Sequence, residues 1–122
     1  MTKKKSADVD SYTKALKIAQ VADAAKAENI VVLDVRRLSN VTDYFVICTG
    51  TSQTHIRAIG KRLDEALASL GIEPERVDGY RATNWIVFDY GTVILHAMME
   101  DARRFYDLER LWGDAPRVDW NE

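Results

Sequence analysis

Residues 84–100, NWIVFDYGTVILHAMME, constrain this chain more than any other stretch. Two apolar runs, 85–88 and 93–99, flank Asp89-Tyr90-Gly91-Thr92. Glycine accepts positive φ without steric cost, so Tyr90-Gly91 suits the centre of a two-residue hairpin turn. Such a turn sets Phe88 against Val93, Val87 against Ile94, Ile86 against Leu95 and Trp85 against His96. Side chains alternate across a strand, so Ile86, Phe88, Val93, Leu95 and Ala97 share one face. Trp85, Val87, Ile94, His96 and Met98 share the other. Both faces are largely apolar, whereas a half-solvated hairpin alternates apolar with polar residues. Either the chain covers both faces, or another molecule covers one of them.

A chain of 122 residues predicts one domain, and 47% hydrophobic residues are enough for a core. The formal charge of -2, from 17 basic and 19 acidic residues, supplies no overall field that would recruit nucleic acid. Cys48 is the sole cysteine and sits in an apolar run. It reads as a small buried hydrophobe in a reducing, cytoplasmic setting. No apolar stretch approaches the roughly 20 residues of a membrane helix. Lys3-Lys4-Lys5 precedes no apolar region and reads as part of a solvated tail, 1–9.

The remaining chain supplies the covering elements. Residues 10–28 predict a helix with a stripe of Tyr12, Ala15, Ile18, Ala19, Ala22 and Ala25. Asp8, Asp10 and Ser11 are candidate N-caps, and Asn29 suits a left-handed stop. Residues 30–35 and 44–49 are apolar and β-branched, so they predict strands, the second of them central. From Gln53 the period turns helical, with Ser52 as N-cap, Ile56, Ile59, Leu63, Leu67 and Leu70 buried, and Gly71 as the stop. A short edge strand fits 76–80. After the hairpin, Asp101 suits a cap, and Phe105, Leu108, Leu111 and Trp112 predict the buried face of a last helix ended by Gly113. Residues 10–113 thus form one domain, and 114–122 a tail pinned through Trp120. The order predicts an α+β (mixed α/β) fold, a mixed sheet with helices packed mainly on one face. The other face of the hairpin then needs a partner, with Trp85, His96 and Met98 as its exposed residues.

Catalytic patterns are sparse. Gly50-Thr51-Ser52 between a strand and a helix is the one phosphate-like turn, open to a nucleotide-binding or nucleotidyltransferase-like reading. It has neither the lysine nor the second glycine of the known phosphate loops. Two-metal chemistry needs paired acids, and Asp89 stands alone. Asp34 and Asp43 flank a loop without a supporting histidine. His55, on a first helical turn, reads as solvated. His96, without zinc-ligand companions or a nucleophile, reads as a hydrogen-bonded structural or interface residue. Trp85 is either core or an interface anchor, and Tyr90 at the hairpin tip reads as a contact residue.

Residues 42–52 (TDYFVICTGTS), 85–96 (WIVFDYGTVILH) and 104–112 (RFYDLERLW) resemble, in order, the signature segments of the ribosomal silencing factor family, the Iojap-like proteins (RsfS). The likeness spans residues 10–112, with Thr42 where the family usually has serine. It implies a ribosome-binding protein rather than an enzyme, with no catalytic residue, cofactor or metal. The implied partner is ribosomal protein L-fourteen of the large subunit. Binding there would keep the small subunit from joining and lower translation, and a part in large-subunit biogenesis is implied too. The implied fold is a nucleotidyltransferase-like scaffold without the catalytic acids. Trp85, Asp89, Gly91 and His96 match the family motif directly. Tyr90 and Met98 join the partner-binding set on the face argument, and Asp43 and Tyr44 either belong to it or shape the preceding loop. Self-association into a homodimer through the hairpin face is a third reading.

Overall fold

In the computed structural model, which describes residues 10–79 and 84–121, the chain opens with helix α1 (Ser11–Ala24). The Asp10 carboxylate caps it by accepting the Thr13 N–H at 2.7 Å, which satisfies one of the free donors of a helix start. Ala15, Ile18, Ala19 and Ala22 form its buried stripe, while Tyr12 at the stripe's end stays largely exposed. Left-handed Lys26 and Asn29 turn the chain into strand β1 (Glu28–Asp34). Strand β2 (Tyr44–Gly50) follows and is buried along its whole length. Helix α2 (Gln53–Ala68) starts at Ser52, whose hydroxyl accepts the His55 N–H at 3.0 Å. Its stripe of Ile56, Ile59, Leu63 and Leu67 is sealed, Leu70 is exposed, and Gly71 turns left-handed after it.

Strands β3 (Arg76–Asp78), β4 (Trp85–Asp89), β5 (Val93–Met99) and the late β6 (Arg117–Val118) complete a six-stranded sheet in the order β3-β4-β5-β2-β1-β6. β2 and β5 run parallel and the other neighbours antiparallel, so the sheet is mixed. β2 lies inside it, as its two apolar faces require.

The hairpin register differs from the sequence expectation by two residues. Phe88 faces Leu95, Val87 faces His96, Ile86 faces Ala97 and Trp85 faces Met98. The turn is centred on Gly91-Thr92 rather than Tyr90-Gly91, with Gly91 at φ 82 and the Tyr90 N–H bonded to the Val93 carbonyl at 2.9 Å. A two-residue slip preserves every side chain's face, where a one-residue slip would invert them all.

α1 and α2 cover one face of the sheet. The alanines of α1 let it approach closely. Gly60 does the same for α2, because a Cβ there would lie 2.1 Å from Phe88 Cζ. The hairpin turn is fastened to both helices: Lys14 Nζ donates to the Tyr90 carbonyl at 3.0 Å and to Thr92 Oγ1 at 3.1 Å, and the Tyr90 hydroxyl donates to Asp64 Oδ1 at 2.8 Å. Two short helices, α3 (Glu100–Tyr106) and α4 (Leu108–Leu111), lie on the opposite face.

Residues after Gly113 are more than a tail. Asp34 N–H bonds the Pro116 carbonyl at 2.8 Å, β6 pairs with β1, and Trp120 Nε1 donates to the Ile30 carbonyl at 3.1 Å. Residues 1–9, Tyr80 of the expected edge strand, 81–83 and Glu122 lie outside the described residues.

Candidate docking face

The register defines what the face opposite α1 and α2 carries. One row across the sheet reads Arg76, Asp89, Ile94, Phe45, Leu33 and Arg117; the next reads Asp78, Val87, His96, Ile47 and Val31; the third begins Trp85, Met98, Thr49. Apolar side chains fill the middle, and charged ones sit on the β3 edge. α3 and α4 cover only the β1–β2 half and the third row, where Leu33, Ile47, Met98, Ala102 and Ala115 form a small second core. Val87, Ile94, Trp85 and His96 remain half-buried.

The expected site residues divide between the two faces. Trp85, Asp89 and His96 lie on the partly open face. Met98 is on that face too but fully buried, because Trp85 and Ala102 close over it; its expected exposure is corrected. Tyr90 is 3% exposed and sits in the core under the helices. Its expected role as a tip contact gives way to a buried one, and burial, with the Asp64 bond second, pushes its phenol well above the usual range. Tyr44 is also buried on the helix-covered face, edge-on to Tyr12 at 6.2 Å and beneath the Arg36 guanidinium at 5.4 Å. Half-buried Asp43 shapes the loop through its backbone, donating to the Thr92 carbonyl at 2.9 Å and accepting from the Val35 N–H at 2.9 Å.

The sequence reading missed the largest exposed apolar groups. Phe105 and Leu111, expected to face inward, are 80% and 73% exposed, and Tyr106 is 49% exposed. The cause is Asp107, which adopts φ 47 and splits the expected single helix into α3 and α4. Asp tolerates the left-handed region better than most residues. The break resets the helical phase: Leu108 and Trp112 pack onto the sheet, while Phe105, Tyr106 and Leu111 turn outward. Periodicity gave no signal of this, since Phe105, Leu108, Leu111 and Trp112 fall on one face of an unbroken helix.

The result is a continuous file of rings. Phe105 meets Tyr106 at 4.9 Å, Tyr106 meets Trp85 at 4.5 Å, Trp85 meets His96 at 5.9 Å, His96 meets Phe45 at 5.2 Å, and Phe45 meets Trp112 at 5.1 Å. Such pairs contribute about 0.5–1.5 kcal/mol each beyond the area they bury. Trp85 Nε1 donates to His96 Nδ1 at 3.2 Å, which places the imidazole proton on Nε2. Burial holds the ring neutral, with its pKa pushed down to about 4. Asp89 and the ion-paired Arg76 and Asp78 rim this surface at the β3 side. Exposed rigid aromatics beside a partly open apolar sheet face, with a charged rim, have the composition of a protein-binding hot spot.

Other expected features take structural roles. In the Gly50-Thr51-Ser52 turn, Thr51 N–H donates to His55 Nδ1 at 2.9 Å and Ile56 N–H to the Ser52 carbonyl at 3.0 Å. Its groove is lined by Glu28, Glu100 and Asp101 with one cation, Arg104, so the lining is net acidic and disfavours an anion. His55 is not solvated as expected: its Nε2 bonds the Ala25 carbonyl at 2.9 Å and staples α2 to the end of α1. Asp34 is held below the ordinary carboxylate range by Arg36, which it binds at 2.7 and 2.9 Å. Burial pushes the Cys48 thiol up to about 12, leaving it inert. Among the described residues no group of three His, Cys, Asp or Glu is placed to hold a metal, and no helix is long and apolar enough to cross a membrane.

Residues 8–122 match the family model described as "Ribosomal silencing factor during starvation". The chain is 40% identical over 105 residues to the ribosomal silencing factor RsfS of Bacillus subtilis, covering 85% of this chain and 89% of that one. It is 34% identical over 89 residues to the mouse protein named mitochondrial assembly of ribosomal large subunit protein 1, covering 70% of this chain and 39% of the mouse protein. A crystal structure from Bacillus halodurans superposes with a TM-score of 0.75 at 36% identity, covering 87% of this chain and 97% of that one.

Proposed function

The chain belongs to the ribosomal silencing factor family, and from that premise we propose that its aromatic face docks on the large ribosomal subunit and blocks joining of the small one. The partner in this reading is ribosomal protein L-fourteen. Trp85, Tyr106, Phe105 and Leu111 bury against its apolar surface, and Asp89 on the rim pairs with its basic residues. The body of the domain, α1 and α2 included, then stands in the space the small subunit needs. Occupancy alone suffices, so no bond is made or broken and no cofactor enters. The protein acts in the cytoplasm, where it lowers translation, and the same contact serves large-subunit biogenesis.

The observation that carries this reading is the exposure of Phe105, Tyr106 and Leu111 beside the half-open Trp85–His96 strip. A second copy of the chain would cover the same strip, so self-association and ribosome binding compete for it. Sedimentation of ribosomes through a sucrose gradient with added protein tests the proposal. Co-migration with large subunits and loss of joined ribosomes is the expected result; protein left at the top of the gradient with joined ribosomes unchanged would overturn it.

A further inference from the structure

Arg103 is the one charged residue among the described residues that is buried, and nothing in the docking contact requires it to touch a partner. Its guanidinium, on the last turn of α3, faces the sheet. Nη1 donates to Thr49 Oγ1 at 2.8 Å, and Nε and Nη2 donate to the two carboxylate oxygens of Glu109 at 3.1 Å each. Thr49 lies near the end of the central strand β2, Arg103 lies on α3, and Glu109 lies on α4. One planar fork therefore ties both short helices to the most rigid part of the sheet.

Besides the fork, the two short helices are held by the packing of Ala102, Leu108 and Trp112 and by a longer Arg117–Glu109 pair at 3.9 Å. Neither α3 nor α4 has a side-chain cap at its start, α4 is four residues long, and the joint between them is left-handed Asp107. Helices this short do not keep an orientation by their own hydrogen bonds. Exposed Phe105 precedes the joint, and exposed Leu111 follows it. The angle between α3 and α4 sets the spacing of those two side chains. An apolar side chain would fill the site at lower desolvation cost, but only a bidentate partner fixes the direction in which α4 leaves.

Resting on the docking reading, we infer that Arg103, through Glu109 and Thr49, is the positioning residue of the docking face: it holds Phe105 on α3 and Leu111 on α4 at the separation the partner needs.

The test is the affinity of the full chain for purified large subunits, measured at low temperature on samples shown folded by circular dichroism. Arg103→Lys keeps the charge and loses the fork; Glu109→Gln keeps the shape, weakens the pairing, and carries the test if Arg103→Lys does not fold. Each should weaken binding roughly tenfold while the protein stays folded. In a Phe105→Ala/Leu111→Ala background the same changes should cost no further affinity, because the groups they position are gone, although the melting temperature still falls. Folded variants binding as tightly as the parent, or losing the same factor in that background, would overturn the inference. Trp85→Ala, run alongside, separates the two levels: if it too leaves binding unchanged, the docking face itself is wrong.

Discussion

On one side of the sheet α1 and α2 seal Ile86, Phe88, Val93 and Leu95 completely; on the other, α3 and α4 seal Leu33, Ile47 and Met98 yet cover Trp85, Val87, Ile94 and His96 only in part. Both sides use apolar residues at alternating positions, so hydrophobicity does not distinguish them. The difference lies in the cover. The first side has two long helices, capped by Asp10 and Ser52 and fastened to the hairpin turn by Lys14 and Asp64. The second has eleven helical residues in two pieces, seven in α3 and four in α4, which turn their own aromatics outward. A closed face serves stability, whereas a half-closed face on a rigid frame retains surface for a partner without the entropy cost of ordering it on contact.

The contrast is open to attack from either side. The largest effect belongs to the closed face: Leu63→Ala, in the sealed stripe of α2, should destabilise by about 2–5 kcal/mol in urea unfolding. The folded fraction should still bind large subunits as the parent does. Lost binding by folded protein would mean that the helix-covered side also takes part.

Acid should act on the half-closed face. The unfolded chain takes up a proton on His96 near 6.5, while the folded chain resists it until about 4. Stability carried by the neutral ring is therefore intact above the unfolded value and falls as pH drops through that window, by about 3 kcal/mol in all. Protonation also puts a hydrogen on Nδ1, where Trp85 donates. Unfolding curves across this range, compared with His96→Phe, isolate the effect; equal slopes for the two proteins would contradict it.

The third effect is smaller in stability and should be seen in binding. Phe105→Ala removes an exposed ring, so the melting curve should barely move, within about 0.5 kcal/mol. Affinity for large subunits should fall by about 1–2 kcal/mol. If stability falls instead and affinity holds, Phe105 supports Tyr106 and does not reach the partner.

Much of this architecture was legible in the chain. The face assignment of the hairpin survived a two-residue error in register because the strand period is two. The Ser52 cap, the alanine stripe of α1 and the inner position of β2 followed from local chemistry, and of three candidate caps for α1 the structure uses Asp10. The site was less legible. Tyr90 beside the turn glycine looked exposed, but its ring points under α2 to Asp64, a contact 26 residues away that no local pattern announces. Met98 looked open because its cover comes from α3. Phe105 and Leu111 looked buried because periodicity assumes an unbroken helix, and one left-handed Asp107 reset the phase. Trp85, Asp89 and His96 stayed on the half-open face, since strand alternation placed them there.

The most direct measurement is the affinity of Trp85→Ala for purified large subunits, with its fold checked by circular dichroism on the same sample. Trp85 joins the file of rings at its middle, touching both Tyr106 and His96. The expected result is a folded protein whose binding is weaker by about 2–4 kcal/mol, as for truncation of a central anchor. A folded variant that binds large subunits as tightly as the parent would contradict it.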